Sequence, residues 1–137
     1  VQIESALGPD GHSDADVLIH ALMDAMLGAA GLRDIGYYFP PEDDQYKGIS
    51  SMLLLDKVNS LLKERRLQAY NIDIMVISET PKLKPHIDTM KANLQSVLEI
   101  PLDRISIKAT TNEMLGAIGR REGIAAQAVV SVYEGEV

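Results

Sequence analysis

The chain contains no cysteine. That absence excludes disulfides, thiol catalysis and cysteine-ligated zinc, so any zinc site must be built from His, Asp or Glu. Basic residues are also scarce: 13 Lys and Arg stand against 20 Asp and Glu, a formal net charge of -7. A general nucleic-acid binder should show a basic face, and this balance argues against one. It leaves room for a small anionic substrate in a local basic pocket. No apolar run reaches membrane-spanning length and no signal peptide is visible, so neither a membrane nor a nucleic acid is an expected partner. What is present, 46% apolar and 24% charged residues over 137 positions, suits one globular domain with a real core. The first residue is Val1 rather than Met, which reads as a fragment or a processed form.

The richest stretch runs from Gly11 to His20 and holds two of the three histidines. Ser13 reads as an N-cap, with Asp16 three residues later in capping-box position. A helix over 14–30 follows, with Val17, Leu18, Ala21, Leu22, Ala25 and Leu27 as its apolar stripe and Gly28 and Gly31 as its end. Asp16, His20 and Asp24 then share one face, and His12 stands at the positive end of the helix dipole. An imidazole, two acids and a helix terminus can hold a divalent metal and a phosphate together. The same residues serve equally as a cap and as charges that answer the dipole.

Residues 33–48 read as loop, with Pro40-Pro41 and the acids Glu42, Asp43 and Asp44, of which Glu42 and Asp44 suit plain solvated charge. Ser50 or Ser51 caps a second helix running to about Gln68, striped by Leu54, Leu55, Val58, Leu61 and Leu62. Alternation predicts a strand over Tyr70–Ser78, and the prolines predict an extended loop over Thr80–Pro85. A helix over about His86–Leu98 and strands at Arg104–Thr110 and Ile124–Tyr133 complete the order, after a short strand at Val1–Ser5. Long helices among strands imply an α/β chain with helices packed on one face of a sheet. The last strand reads as apolar on both faces through Ala125, Ala126, Ala128, Val129, Val130 and Val132, and a second subunit is the simplest cover for the outer one.

A second candidate site follows the Arg104–Thr110 strand. Thr110 and Thr111, with backbone N–H groups at a strand–helix junction, suit a phosphate, and Glu113 suits a hard cation such as Mg²⁺. A simple capping arrangement explains the same three residues. The run Gly116 to Gly123 is glycine-rich but lacks the ending of a P-loop.

Taken in order, these motifs resemble the 2-C-methyl-D-erythritol 2,4-cyclodiphosphate synthase family of the non-mevalonate isoprenoid pathway. The resemblance is carried by His12-Ser13-Asp14-Ala15-Asp16-Val17, His20-Ala21, Asp24-Ala25 and Leu27-Gly28-Ala29-Ala30. It continues through Asp34-Ile35-Gly36, Phe39-Pro40, Tyr46-Lys47-Gly48, Pro81-Lys82-Leu83 and Pro85-His86. Lys108-Ala109-Thr110-Thr111, Glu113, Leu115-Gly116, Gly119-Arg120 and Glu122-Gly123-Ile124-Ala125 close it. Each motif is ordinary alone. The ordered set covers nearly the whole chain and is specific.

The resemblance implies a mixed sheet with helices on one face. It implies a homotrimer with sheets packed around a threefold axis and active sites between adjacent subunits. It implies a cytoplasmic phosphorus–oxygen lyase acting on a cytidine diphosphate substrate, with release of CMP. By motif, His20 resembles a zinc ligand (Zn²⁺ or another divalent cation) and Glu113 the ligand of a second metal, Mg²⁺ or Mn²⁺. His12 and Ser13 look like phosphate contacts, with His12 and Thr111 stabilising the transition state. Asp34, Ile35 and Gly36 match the positions holding the methylerythritol hydroxyls, and Phe39 to Asp43 match a mobile loop over the substrate. Pro81, Lys82 and Leu83 resemble cytidine and phosphate contacts, Thr110 and Thr111 fall on the nucleotide site, and Arg120 matches a phosphate-binding arginine near the axis.

The chain departs from the family at Pro41, where an acid is usual, and at Ala117, where an aromatic residue is usual. Nothing before His12 matches the family's opening Asp-x-His strand, which supplies two zinc ligands. The 137 residues are therefore expected to start after that strand, and this form is expected to bind zinc weakly and turn over little substrate. A non-catalytic trimer that holds a nucleotide or an isoprenoid diphosphate is the alternative.

Overall fold

The structure, a computed structural model, describes residues 10–46, 48–79, 83–119 and 123–135, with backbone alone for 10–15. Helix α1 spans Asp10–Ala29. Its Leu22, Met23, Met26 and Leu27 are 0% exposed, and Leu18 and Ile19 are also buried. These positions recur at helical spacing, so one side of α1 is core. The helix begins four residues before the predicted start, so Ser13 lies inside it and is not its N-cap. Gly31, at φ 73, ends α1. Its N–H donates to Gly28 O (3.0 Å), and the Leu32 N–H donates to Leu27 O (2.8 Å), a Schellman cap that leaves Gly28 inside the helix.

The segment expected as loop over 33–48 carries a single helical turn, α2 (Ile35–Tyr38), and a 3-10 turn at Asp44–Tyr46. Helix α3 spans Ser51–Glu64, and the cap is Ser50, whose hydroxyl accepts from Met52 N–H at 3.2 Å. It stops four residues short of Gln68. Arg66 turns left-handed (φ 59), and the Gly135 N–H donates to Arg66 O, which draws Leu67 into the sheet. Strand β1 (Leu67–Ile77) therefore starts three residues earlier than alternation predicts, because pairing of Leu67 with Glu134 decides its start. Helix α4 covers Ile87–Leu98, β2 Ile105–Thr110, α5 Gly116–Gly119 and β3 Ala125–Glu134. The strand expected at Val1–Ser5 lies outside the described residues.

The sheet order is β2-β1-β3, with β1 and β2 parallel and β1 and β3 antiparallel. Parallel neighbours need a crossover, and α4 supplies it. A bulge between Ala69 and Asn71 lets both Ala69 and Ile72 point inward, although they are three residues apart. It turns Tyr70 outward, where its ring meets Tyr133 (5.8 Å) and the Arg104 guanidinium (4.2 Å). Ile72, Ile74, Val76, Ile105 and Ile107 form the inner face. Helix α1 lies across β3 and β1, α3 on β1, and α4 on β2, so the helices share that face as the resemblance implies.

The outer face differs from the expectation for the last strand. Alternation sends Ala126, Ala128, Val130 and Val132 inward and leaves Gln127, Val129, Ser131 and Tyr133 outside. It is thus mixed rather than apolar, with Val129 71% exposed among polar neighbours. Among the described residues no helix is long and apolar enough to cross a membrane.

Leu22→Ala empties a fully enclosed site under the sheet. It should lower the unfolding free energy by about 3–5 kcal/mol in urea titration, and a loss below about 1 kcal/mol would contradict this packing.

Candidate active site

The parallel pair sets the site. Beyond the last β1–β2 register pair, Ile77 with Thr110, the Ser78 N–H donates to Thr110 O at 3.0 Å. Past this rung the two chains part, and a cleft of about 340 Å³ opens between them. Val76, Leu83 and Ala109 give it an apolar floor; Ser78, Glu79, Lys84, Thr110 and Thr111 give it a polar rim. Open sheets bind ligands in such crevices, outside the carboxyl ends of their strands, because chains diverging there leave a gap without breaking a ladder.

The rim is shaped by the turn after β2. Glu113 (φ 54) and Met114 (φ 63) both take left-handed backbone, strained for residues with a side chain. Glu79 compensates from the other strand: its Oε1 accepts from the Asn112 N–H (3.2 Å) and the Met114 N–H (2.7 Å). Thr111 Oγ1 accepts from the Glu113 N–H (3.3 Å), and Asn112 Nδ2 donates to Leu115 O (2.7 Å). At Gly119 the backbone comes so close that an added Cβ would lie 2.0 Å from the Met114 carbonyl carbon. The expectation of free backbone N–H groups for a phosphate is corrected here. Those of residues 112, 113 and 114 are all taken within the chain, and the Thr110 hydroxyl donates to Thr111 O at 3.4 Å, so among the described rim residues a phosphate would meet the Thr111 hydroxyl, Lys84 and, on release of that long bond, Thr110.

A second group lies on α1. Asp16, His20 and Asp24 are all exposed and share a face, as their spacing predicts. The two acids are engaged elsewhere: the Ser51 hydroxyl donates to Asp16 Oδ1 (2.8 Å), and the Ile35 N–H donates to Asp24 Oδ1 (2.9 Å). Among the described residues no three His, Asp or Glu side chains lie close enough to hold a metal ion. Asp16 and Asp24, which the spacing offers as ligands beside His20, are thus both occupied as hydrogen-bond acceptors.

Asp34 precedes α2 in extended conformation, and its side chain makes no capping bond. A Cβ at Gly36 would lie 3.4 Å from Asp34 Oδ2, so the glycine keeps space beside that carboxylate. Phe39 is half-buried against the core and stacks edge-on with Tyr46 at 5.2 Å. Asp43 folds onto its own turn, accepting from the Gln45 N–H and the Gln45 Nε2 at 3.1 Å each.

The structure thus brings Leu83, Thr110 and Thr111 together at the cleft, with the exposed Glu113 on the adjoining turn, and sets Asp34, Ile35 and Gly36 beside α1 near Asp24. Pro81, Lys82, Arg120 and the side chains of His12 and Ser13 lie outside the described residues. Sequence reasoning missed Ser78, Glu79 and Lys84. The available signal was position alone: Ser78 and Glu79 precede, and Lys84 lies within, a proline-framed loop that follows a buried strand.

Fold and cleft together define a small mixed α/β protein with a donor-rich crevice at the ends of two parallel strands. The chain belongs to the YgbB family, whose profile matches residues 1–133. It is 58% identical over 129 residues to the 2-C-methyl-D-erythritol 2,4-cyclodiphosphate synthase of Synechococcus elongatus, covering 94% of this chain and 81% of that protein. A solved 2C-methyl-D-erythritol-2,4-cyclodiphosphate synthase superposes with a TM-score of 0.83 at 34% identity, over 96% of this chain and 85% of the other. Another, in a form bound to CDP, gives 0.77 at 33% identity, over 84% and 74%.

Glu79→Ala leaves two backbone donors without their acceptor and should cost about 1–3 kcal/mol of stability. Glu79→Gln keeps a carbonyl oxygen in place and should cost less than about half of that. Equal losses for the two variants in chemical unfolding would remove Glu79 from its role in the turn.

Proposed function

We propose that this chain converts 4-diphosphocytidyl-2-C-methyl-D-erythritol 2-phosphate to 2-C-methyl-D-erythritol 2,4-cyclodiphosphate and releases CMP, as a cytoplasmic phosphorus–oxygen lyase. The observation that carries this reading is the strand-end cleft rimmed by Thr110, Thr111 and Lys84, in a chain more than half identical to a synthase of that name. A CDP-bound relative of the same fold supports a cytidine diphosphate as the ligand class.

In this reading an oxygen of the substrate's own 2-phosphate attacks the β-phosphorus. A new P–O bond forms, the bond to the bridging oxygen breaks, and CMP leaves with that oxygen. No protein nucleophile is needed, so the chain contributes position and charge. Pro81, Lys82 and Leu83 hold the cytidine and its phosphates, with the Thr110 and Thr111 hydroxyls as donors to the diphosphate. His12 and Thr111 stabilise charge as it develops, and Ser13 and Arg120 bind phosphate. Asp34, Ile35 and Gly36 orient the methylerythritol hydroxyls, while Phe39 and Asp43 border them.

The expected metals are Zn²⁺ or another divalent cation at His20 and Mg²⁺ or Mn²⁺ at Glu113. The described residues give His20 no second or third ligand, so they do not make a closed zinc site. One domain spanning 1–137 is the unit, and three copies assemble with their sheets around a threefold axis. Assembly unites the cleft of one copy with the Asp34–Gly36 region of a neighbour, since no described contact joins these groups within one chain. No described feature favours the non-catalytic alternative.

Light scattering should return a trimer, and a stable monomer would contradict the shared site. Purified chain supplied with the substrate and divalent cations should release CMP, at the low rate expected where the described residues leave the zinc shell incomplete. Lys82→Ala should weaken CDP binding by about 1–3 kcal/mol in calorimetry, as expected for a charge-assisted phosphate contact. Absence of both CDP binding and CMP release would overturn the proposal.

A further inference from the structure

The two carboxylates on α1 do the same thing at opposite ends of one segment. Asp24 takes the N–H of Ile35, the first residue of α2, at 2.9 Å. Asp16 takes the hydroxyl of Ser51, the first residue of α3, at 2.8 Å. The acceptors stand eight positions apart on the helix, about 12 Å along the axis. His20 sits midway between them on the same face.

Residues 35–51 therefore leave α1 at one carboxylate and return to it at the other. The first attachment is specific in an informative way. The residue before α2 is Asp34, which could cap that turn with its own side chain, yet makes no such bond. Asp24 satisfies a different orphan of the same turn, the N–H of its first residue, and the Asp34 carboxylate makes no capping bond. Between the anchors, Ile35, Tyr38 and Phe39 pack on the core, and Phe39 meets Tyr46. These apolar contacts hold the segment on the protein but are tolerant of sliding. Hydrogen bonds at its two ends fix its register.

We propose that Asp24 and Asp16 are positioning residues that clamp the 34–51 segment to α1 and so set the Asp34–Gly36 turn at a fixed place relative to His20. The consequence for substrate rests on the hydroxyl-binding role assigned to that turn above. Neither acid touches substrate in this account. Each acts through the backbone or side chain it holds.

The test uses the full chain carrying Asp24→Ala, Asp24→Asn or Ser51→Ala. Hydrogen exchange reads the clamp, CMP release gives kcat and KM, and calorimetry gives CDP affinity. Asp24→Ala should raise exchange at Ile35 about tenfold and raise KM for the full substrate by a similar factor, since one hydrogen bond to a charged acceptor is lost. CDP affinity should stay within about twofold, because the strand-end cleft does not use this clamp. Asp24→Asn retains a carbonyl acceptor and should return exchange and KM to within about threefold of the parent. Ser51→Ala should loosen the other end alone, raising exchange near residue 51 without changing Ile35. Unchanged exchange at Ile35 in Asp24→Ala overturns the proposal, as does raised exchange with unchanged KM. A parallel fall in KM performance, CDP affinity and thermal stability that Asp24→Asn does not rescue also overturns it, because that is general destabilisation. Where exchange responds as stated but the parent chain releases no CMP, the clamp stands and the activity reading falls.

Discussion

The parallel pairing of β1 with β2 is the constraint on which the rest depends. Parallel strands cannot be joined by a tight turn, so the chain must cross over through α4 and return. That return brings the end of β1 and the end of β2 side by side, and the Ser78–Thr110 bond is their last backbone rung among the described residues. Everything proposed for the nucleotide lies just beyond it. The crossover also explains why Leu83, at its start, is buried beneath the cleft while Lys84 is exposed at its rim.

A price is attached to this arrangement in the turn after β2, where two residues with side chains adopt left-handed backbone. Glu79 answers it from the opposite strand end, and in doing so it uses up the amides that a phosphate would otherwise meet. The rim is therefore recognisable by hydroxyls and a cation rather than by a backbone nest. The α1 face follows a similar logic. Acids that look like metal ligands by spacing are committed to holding Ser51 and Ile35.

The helices and strand cores were legible in the sequence because burial follows period: Leu18, Leu22 and Leu27 on α1 and Ile72, Ile74 and Val76 on β1 are buried as their spacing predicts, although Met23 and Met26, equally buried, lay outside the predicted stripe. A serine cap at Ser50 or Ser51 was legible because its side-chain chemistry is local, and the structure selects Ser50. What was not legible depends on partners distant in the chain. Leu67–Ala69 joined β1 because β3 pairs with them. The outer face of β3 proved mixed because the apolar run over 125–132 conceals a strict alternation once the register is set. The one-turn helix α2 exists beside an acceptor eleven residues earlier. Thr110 and Thr111 were found at the cleft by motif, whereas Glu79 had no signature: an acid after a strand is commonplace, and only the fold shows which amides it meets.

The central claim is that the ends of β1 and β2 hold a nucleoside diphosphate. The most direct measurement is a crystal structure of the chain grown with CDP. The account predicts the diphosphate within hydrogen-bonding distance of the Thr110 and Thr111 hydroxyls, with the Glu79 bonds to residues 112 and 114 intact. CDP seated away from this crevice, or phosphate oxygens bound to the amides that Glu79 now occupies, would contradict it.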